Sequence, residues 1–183
     1  MPTSPNSLNG KLSSFFFHQK HQLSLLICKL GFNPTLITSN CMALKIIDHG
    51  TKEYQQMVQM RMDILRKPLG LSFTPEELEK EKDEVLIGAF EDDRMLGCCM
   101  LIKQPGNSVR LRQMAVMNNV QGKGIGRALM NFAENLARDM GYKKLLMHAR
   151  KTAAGFYEKQ GYHITGEEFT EVTIPHYIME KDL

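Results

Sequence analysis

No stretch of this 183-residue chain approaches the roughly 18–20 consecutive apolar residues that span a bilayer. The best candidate, Leu23–Cys28, is far too short, and the mostly polar or aromatic residues before it make a poor signal peptide. The ending Lys181-Asp182-Leu183 lacks the Glu of an endoplasmic-reticulum retention signal. Acidic residues are missing altogether from residues 1–41, and so is arginine. Lys11, Lys20 and Lys29 therefore account for the whole net charge of +3, while residues 42–183 balance to zero. A nucleic-acid binder needs a concentrated positive face, and this body offers none at the level of net charge, so nucleic acid is not expected as a partner; without a spanning apolar run, neither is a membrane. Cysteine is sparse: Cys28, Cys41, Cys98 and Cys99. These make no disulfide framework and, with the histidines, no metal-ligand spacing, so no metal is expected. Cys98 and Cys99 would point to opposite faces of a strand, as reduced thiols in a cytoplasmic protein.

Residues 1–41 contain thirteen Ser, Thr or Asn and the aromatic run Phe15–Phe17, without periodicity. Three readings stay open for them: a poorly ordered extension, an artefact of start assignment with Met42 as the initiator, or a targeting segment, against which the missing arginine argues. On the first two, a chain beginning at Met42 is expected to fold and to keep its activity. Residues 42–183 have the size of one domain with a sizeable core.

Along that body, Ala43–Asp48 reads as a strand and Thr51 as the cap of a helix carrying Tyr54, Met57, Val58, Arg61, Met62 and Leu65 on one face. Thr74-Pro75-Glu76-Glu77 opens a short charged helix. Glu84–Phe90, Met95–Lys103 and Val109–Val116 read as a three-strand meander. The period then changes: Ile125, Leu129, Phe132, Ala133, Leu136 and Met140 line one face of a helix stopped by Gly141. A strand at Lys144–Ala149, a helix at Thr152–Gln160, and strands near Tyr162–Thr165 and Ile174–Met179 complete the chain. This order is α+β or mixed α/β, not a doubly wound nucleotide-binding domain.

Between strand and helix lies Gln121-Gly122-Lys123-Gly124-Ile125-Gly126. Glycines there let the backbone turn tightly and aim free N–H groups at one spot, a nest for phosphate oxygens; a plain flexible turn is the alternative. The P-loop pattern fails because Gly124, not Ser or Thr, follows Lys123. The dinucleotide fingerprint fails because Arg127 stands where its third glycine belongs.

With Gln121, Gly124 and Gly126 in the pattern Gln/Arg-x-x-Gly-x-Gly/Ala after a strand and opening a helix, the chain resembles the GNAT superfamily of N-acetyltransferases. A second signature follows at Ala153, Phe156-Tyr157-Glu158-Lys159 and Gly161-Tyr162. The stretch Gly166–Met179 resembles a bacterial subgroup of small acyltransferases. Many members carry Asn where this chain has Arg150. The resemblance implies the acyl-CoA N-acyltransferase fold, with a mostly antiparallel sheet flanked by helices. It further implies transfer of an acetyl group from acetyl-CoA to a primary amine of a small molecule or peptide, and a homodimer. The pyrophosphate would rest on Gln121, Gly122, Lys123, Gly124, Ile125 and Gly126, continuing to Arg127, with Ala153 and Phe156 beside the cofactor. The pantetheine arm would pair with the backbone of Met114, Ala115 and Val116 where two strands splay.

The resemblance makes Tyr157 the proton donor to the departing thiolate, a role a phenol suits chemically; the alternative is a packing pair with Phe156. A backbone N–H near Ala115 or Val116 could hold the oxyanion. For the base, Glu171, His176 and a water held by backbone or Gln113 compete. His148 reads as structural or substrate-facing, and a Cys99–His148 nucleophile is a further option. Arg110 and Arg112 share a strand face, and with Arg61 they either line an acceptor groove or are merely solvated. A non-catalytic acyl-CoA sensor, or an acyl-CoA thioesterase-like hydrolase, would use the same cofactor loop.

Overall fold

The computed structural model describes residues 42–183; the readings made for residues 1–41, including Cys28 and Cys41, lie outside the described residues. The elements are β1 (Met42–Ile47), α1 (Lys52–Arg61), α2 (Pro75–Glu79), β2 (Val85–Glu91), β3 (Arg94–Gln104) and β4 (Ser108–Val116). There follow α3 (Ile125–Asp139), β5 (Lys144–Arg150), α4 (Ala154–Glu158), β6 (His163–Glu171) and β7 (Ile174–Asp182). One seven-stranded sheet runs β1-β2-β3-β4-β5-β7-β6. Every neighbouring pair is antiparallel except β4 and β5.

Local chemistry sets the helix starts. Thr51 accepts from the Tyr54 N–H, and Thr74 forms a capping box with Glu77 that satisfies two otherwise orphaned N–H groups. The end of α1 is less regular than its spacing predicts. A π turn over Met62–Arg66 and a 3₁₀ turn over Lys67–Leu69 follow it, stopped by Gly70 in the left-handed region. Such turns swing Ile64, Leu65 and Arg66 off the helix line and into the central cleft.

The sheet separates two apolar layers. On one side Leu129, Met130, Ala133 and Ala137 of α3 pack on Ile87, Cys99, Leu111, Leu145, Met147 and Met179. On the other, Tyr54, Met57 and Met60 of α1 pack on Leu86, Phe90, Cys98, Met100 and Ala115. Cys98 and Cys99 do face opposite layers, each fully buried, and burial pushes the Cys98 thiol up to about 12. Cys99 lies in the α3 layer, so it does not meet His148 on the other face, and that nucleophilic pair is not formed.

Two lengths differ from the sequence reading. The helix expected at Thr152–Gln160 is a 3₁₀ turn at Lys151–Ala153 plus the five residues of α4, closed by Gly161 at φ 88°. The strand expected near Tyr162–Thr165 runs on to Glu171, across an irregularity at Gly166 (φ 78°). As the outer edge strand it is mostly exposed, so no hydrophobic alternation marks its second half.

Arg61 is neither solvated nor in an acceptor groove, which corrects both alternatives for it. It is completely buried, with Nη1 and Nη2 donating to the two Glu81 carboxylate oxygens at 2.9 and 2.8 Å. Tyr54 Oη donates to the same carboxylate at 2.8 Å. This cluster ties the segment carrying α2 to α1.

Candidate active site

The parallel strands β4 and β5 pair only from Ser108 opposite Lys144 to Leu111 opposite Met147. Beyond that point β4 continues to Val116 and β5 to Arg150 without pairing, so the strands part. A bulge in β4 accompanies the parting. Cys98 faces Ala115 and Met100 faces Arg112, so β4 holds one residue more than β3 across this step. Gln113 takes φ 53°, the left-handed region, to accommodate it. The extra residue also resets the side-chain phase: Val109 and Leu111 face α3, Met114 and Val116 again face α3, and Ala115 turns to the α1 layer. A cleft of about 880 Å³ opens between the parted strands and reaches both faces of the sheet.

One end of the cleft is the start of α3. Its cap residue, Gly124, sits at φ 85° with no side-chain cap, and the first helical hydrogen bond is Ala128 N–H to Gly124 C=O. The N–H groups of Gly124, Ile125, Gly126 and Arg127 therefore have no partner within the helix. Gly126 packs closely, because a Cβ there would lie 3.2 Å from the Phe156 ring and the ring would have to give slightly. Two of the expected cofactor-loop residues contribute less than their whole length. The Lys123 N–H is taken by the Val120 carbonyl at 3.3 Å, and Lys123 is not among the cleft residues. The Ile125 side chain is buried core, leaving only its backbone for a ligand. Gln121 braces the loop: its side-chain amide donates to the Val116 carbonyl at 3.1 Å and to Asn118 Oδ1 at 3.2 Å.

Tyr157 enters from α4, buried, with Phe156 edge-on to it at 5.0 Å and Ala153 also lining the cleft. Its hydroxyl donates to Met114 Sδ at 3.6 Å, a thioether and hence a weak acceptor. Burial, reinforced by Cys99, holds the phenol above its ordinary range. Tyr157 thus packs against Phe156 with its hydroxyl on a weak acceptor, an arrangement compatible with both readings of the residue.

On the opposite face, β5, β6 and β7 bring together residues far apart in sequence. His148 Nδ1 lies 2.7 Å from Glu171 Oε2. Phe169 stands edge-on to His148 at 5.1 Å and 6.0 Å from the His176 ring. His176 is buried and its Nδ1 donates to the Ile174 carbonyl at 2.8 Å. Glu171 and His176 thus share one face, but the partner of Glu171 is His148. Burial raises the Glu171 carboxyl, yet the hydrogen bond from His148 and the nearby His148, His176 and Arg110 outweigh it, so the net shift is downward. The hairpin that presents Glu171 places two β-branched residues, Val172 (φ 50°) and Thr173 (φ 65°), in the left-handed region. Such backbone costs about 1–3 kcal/mol per residue and is commonly retained where it positions functional groups.

A sheet whose central parallel pair splays around a bulge, with a glycine-lined helix start on one side and ionisable side chains on the other, is the acyl-CoA N-acyltransferase fold. The model of the acetyltransferase (GNAT) domain matches residues 70–183, and the chain belongs to that family. It is 31% identical over 78 residues to the uncharacterized protein YyaT of Bacillus subtilis, covering 43% of this chain and 53% of that one. The chain thus spans about half the length of the curated relatives it first matches. An acyl-CoA N-acyltransferase from Pseudomonas aeruginosa superposes with a TM-score of 0.66 at 19% identity, covering 77% of this chain and 99% of that one. An aminoglycoside 6'-N-acetyltransferase complexed with coenzyme A gives 0.65 at 19% identity, covering 76% and 96%. At such identities the likeness concerns the fold.

Among the described residues no helix is long and apolar enough to cross a membrane.

Proposed function

We propose that the protein transfers the acetyl group of acetyl-CoA to a primary amine. The observation that carries this reading is that the uncapped start of α3, the poorly satisfied Tyr157 hydroxyl and the His148–Glu171 pair all open onto one cleft between β4 and β5. The coenzyme A complex of the structurally similar aminoglycoside acetyltransferase supports the choice of acyl donor.

In this reading the N–H groups of Gly124–Arg127 hold the pyrophosphate, favoured by the positive end of the α3 dipole. The pantetheine amides pair with the edge of β4 that β5 leaves open. Because Met117 N–H bonds to Leu96 on β3, the alternation of the ladder turns Val116 and Met114 N–H toward the cleft and Ala115 N–H toward β3. That favours Val116 over Ala115 as the oxyanion donor. His148, with Nδ1 bonded to Glu171, takes the amine proton at Nε2, and Glu171 fixes the ring and its tautomer. The amine nitrogen attacks the thioester carbon and the carbonyl electrons move to oxygen. Collapse then breaks the C–S bond, and Tyr157 supplies a proton to the thiolate. His176, its Nδ1 occupied by a backbone carbonyl, lines the acceptor side.

Calorimetric titration with coenzyme A tests the donor half. Binding is expected, and Gly124→Val should weaken it at least tenfold, because a β-branched residue resists the left-handed conformation at φ 85°. No binding, or equal binding by the variant, would overturn the assignment of this loop.

The acceptor half is tested by Glu171→Gln. A depressed carboxyl pKa means that the charged form, and its hold on His148, is present above the ordinary value of about 4.3 and is lost only as pH falls below it. The pair is therefore intact throughout a pH 6–9 assay. Removing the charge should lower kcat/KM by about 10–100-fold across that range. An undiminished rate would exclude the pair as the base.

We propose as well that residues 42–183 form the catalytic unit.

A further inference from the structure

The body of the chain carries no net charge, yet the charges around the cleft are one-sided. Among the described residues that line it, six are cationic: Arg66, Arg110, Arg112, Arg127, Arg150 and Lys159. Glu171 is the one carboxylate among these described lining residues, and it is engaged by His148.

These cations divide by position. Arg127 belongs to the first turn of α3, beside the loop assigned to the pyrophosphate. Arg110 and Arg112 stand two residues apart on the acceptor face of β4. Arg110 lies six residues before Val116, a strand distance of about 20 Å, so a diphosphate on the α3 loop does not account for it.

Arg66 is already partnered by Glu77 at 3.2 Å. Arg110 is not: among the described residues it makes no ion pair, and its Nε is buried without a hydrogen-bond partner. A buried guanidinium donor left unmatched costs free energy until something accepts its proton. Burial, and then the like charge of Arg112, hold Arg110 below the ordinary arginine range; only Glu171 acts in the other direction.

Register fixes the spacing to the base. Arg110 sits opposite Leu146 in the parallel pair, and His148 is two residues further along β5 on the same face. The Cα separation along the sheet is therefore about 7 Å, close enough for the two side chains to reach one small molecule that bears both an amine and an anion.

Resting on the acetyl-transfer reading above, we propose that the acceptor is a small amine carrying its own oxyanion, a carboxylate or a phosphate, which Arg110 and Arg112 bind while His148 takes the proton from the amine. Glu171 and the arginines then orient the molecule by opposite charges, and a polycationic amine is disfavoured by the same arginines.

The test uses the full chain with acetyl-CoA and matched acceptors: amino acids against their carboxamides, and phosphoethanolamine against ethanolamine. The carboxamide is the less basic amine, so its larger neutral fraction works against the predicted preference. The acidic member of at least one pair should have a kcat/KM at least tenfold higher, and the pair that responds tells carboxylate from phosphate. Arg110→Met should reduce that ratio at least tenfold, and Arg110→Lys should retain part of it. Coenzyme A titration of the same samples reports whether the donor half is intact. If the neutral members are used equally well or better, or Arg110→Met slows both members alike, the acceptor class is wrong while acetyl transfer stands. If coenzyme A binds and no amine is acetylated, both readings fall.

Discussion

Tyr157→Phe is expected to lower kcat by about 10²–10⁴-fold while coenzyme A still binds. The change removes one oxygen from a buried side chain whose hydroxyl contacts only the Met114 thioether at 3.6 Å, so little stability is at stake. On the proposed mechanism, what is lost is the proton for the departing thiolate. Burial raises Tyr157 above its ordinary pKa, which alone would make it a weaker acid. The same dry surroundings penalise a thiolate as well, so donor and acceptor rise together and proton sharing along the breaking C–S bond remains favourable. A raised phenol pKa also fixes the pH window. The protonated form persists below the unfolded value near 10 and is lost only as pH climbs through the higher folded value. Tyr157 therefore stays a competent donor through pH 9, and the alkaline side of the kcat profile should show no decline from this group. Single-turnover measurement of thiol release checks both points. Turnover within twofold of the wild type would remove Tyr157 from the chemistry.

The second large effect concerns stability. Glu81→Ala is expected to destabilise the fold by about 3–5 kcal/mol, the cost of leaving one member of a buried ion pair alone. Arg61 has no exposed surface, and both of its terminal nitrogens end on Glu81. Tyr54 loses its acceptor in the same step, although its hydroxyl also reaches the Leu78 carbonyl at 3.2 Å. A fall in the thermal midpoint of roughly 10–20 °C corresponds to this loss in a domain of this size. Replacing both partners with apolar residues of similar volume should cost much less, since no charge is then stranded. Urea denaturation of the single and double variants separates the two cases. A loss under about 1 kcal/mol for Glu81→Ala would mean that Arg61 reaches water.

The cluster illustrates what could be read in advance and what could not. Thr51, Thr74 and the glycines at 122, 124 and 126 act on their immediate neighbours, so their spacing announces the helix starts and the loop at the cleft. The apolar spacing of Ile125, Leu129 and Ala133 likewise marks a face that the structure buries. Arg61 and Glu81 are 20 residues apart, and His148 and Glu171 are 23 apart. Nothing in local pattern links members of such pairs; the sheet order and the β6–β7 register create the contact. Glu171, His176 and His148 are therefore legible as separate candidates, but the contact between His148 and Glu171 is not. The bulge at Gln113 was equally hidden. It depends on the pairing of β3 with β4, and Gln carries no turn signal of the kind that Gly or Asn gives. The unmatched Arg110 emerges only when the partners of all the cleft arginines are compared.

Following acetyl-CoA and amine together shows whether this cleft joins an acetyl group to an amine. Free thiol should appear only when an accepted amine is present, in a one-to-one ratio with an amine whose mass has grown by one acetyl group. Thiol released at the same rate without amine would mark a thioesterase-like hydrolase instead. Tight binding of acetyl-CoA with no thiol released across the acceptor panel would mark a sensing module, and would contradict the roles given to Tyr157 and His148.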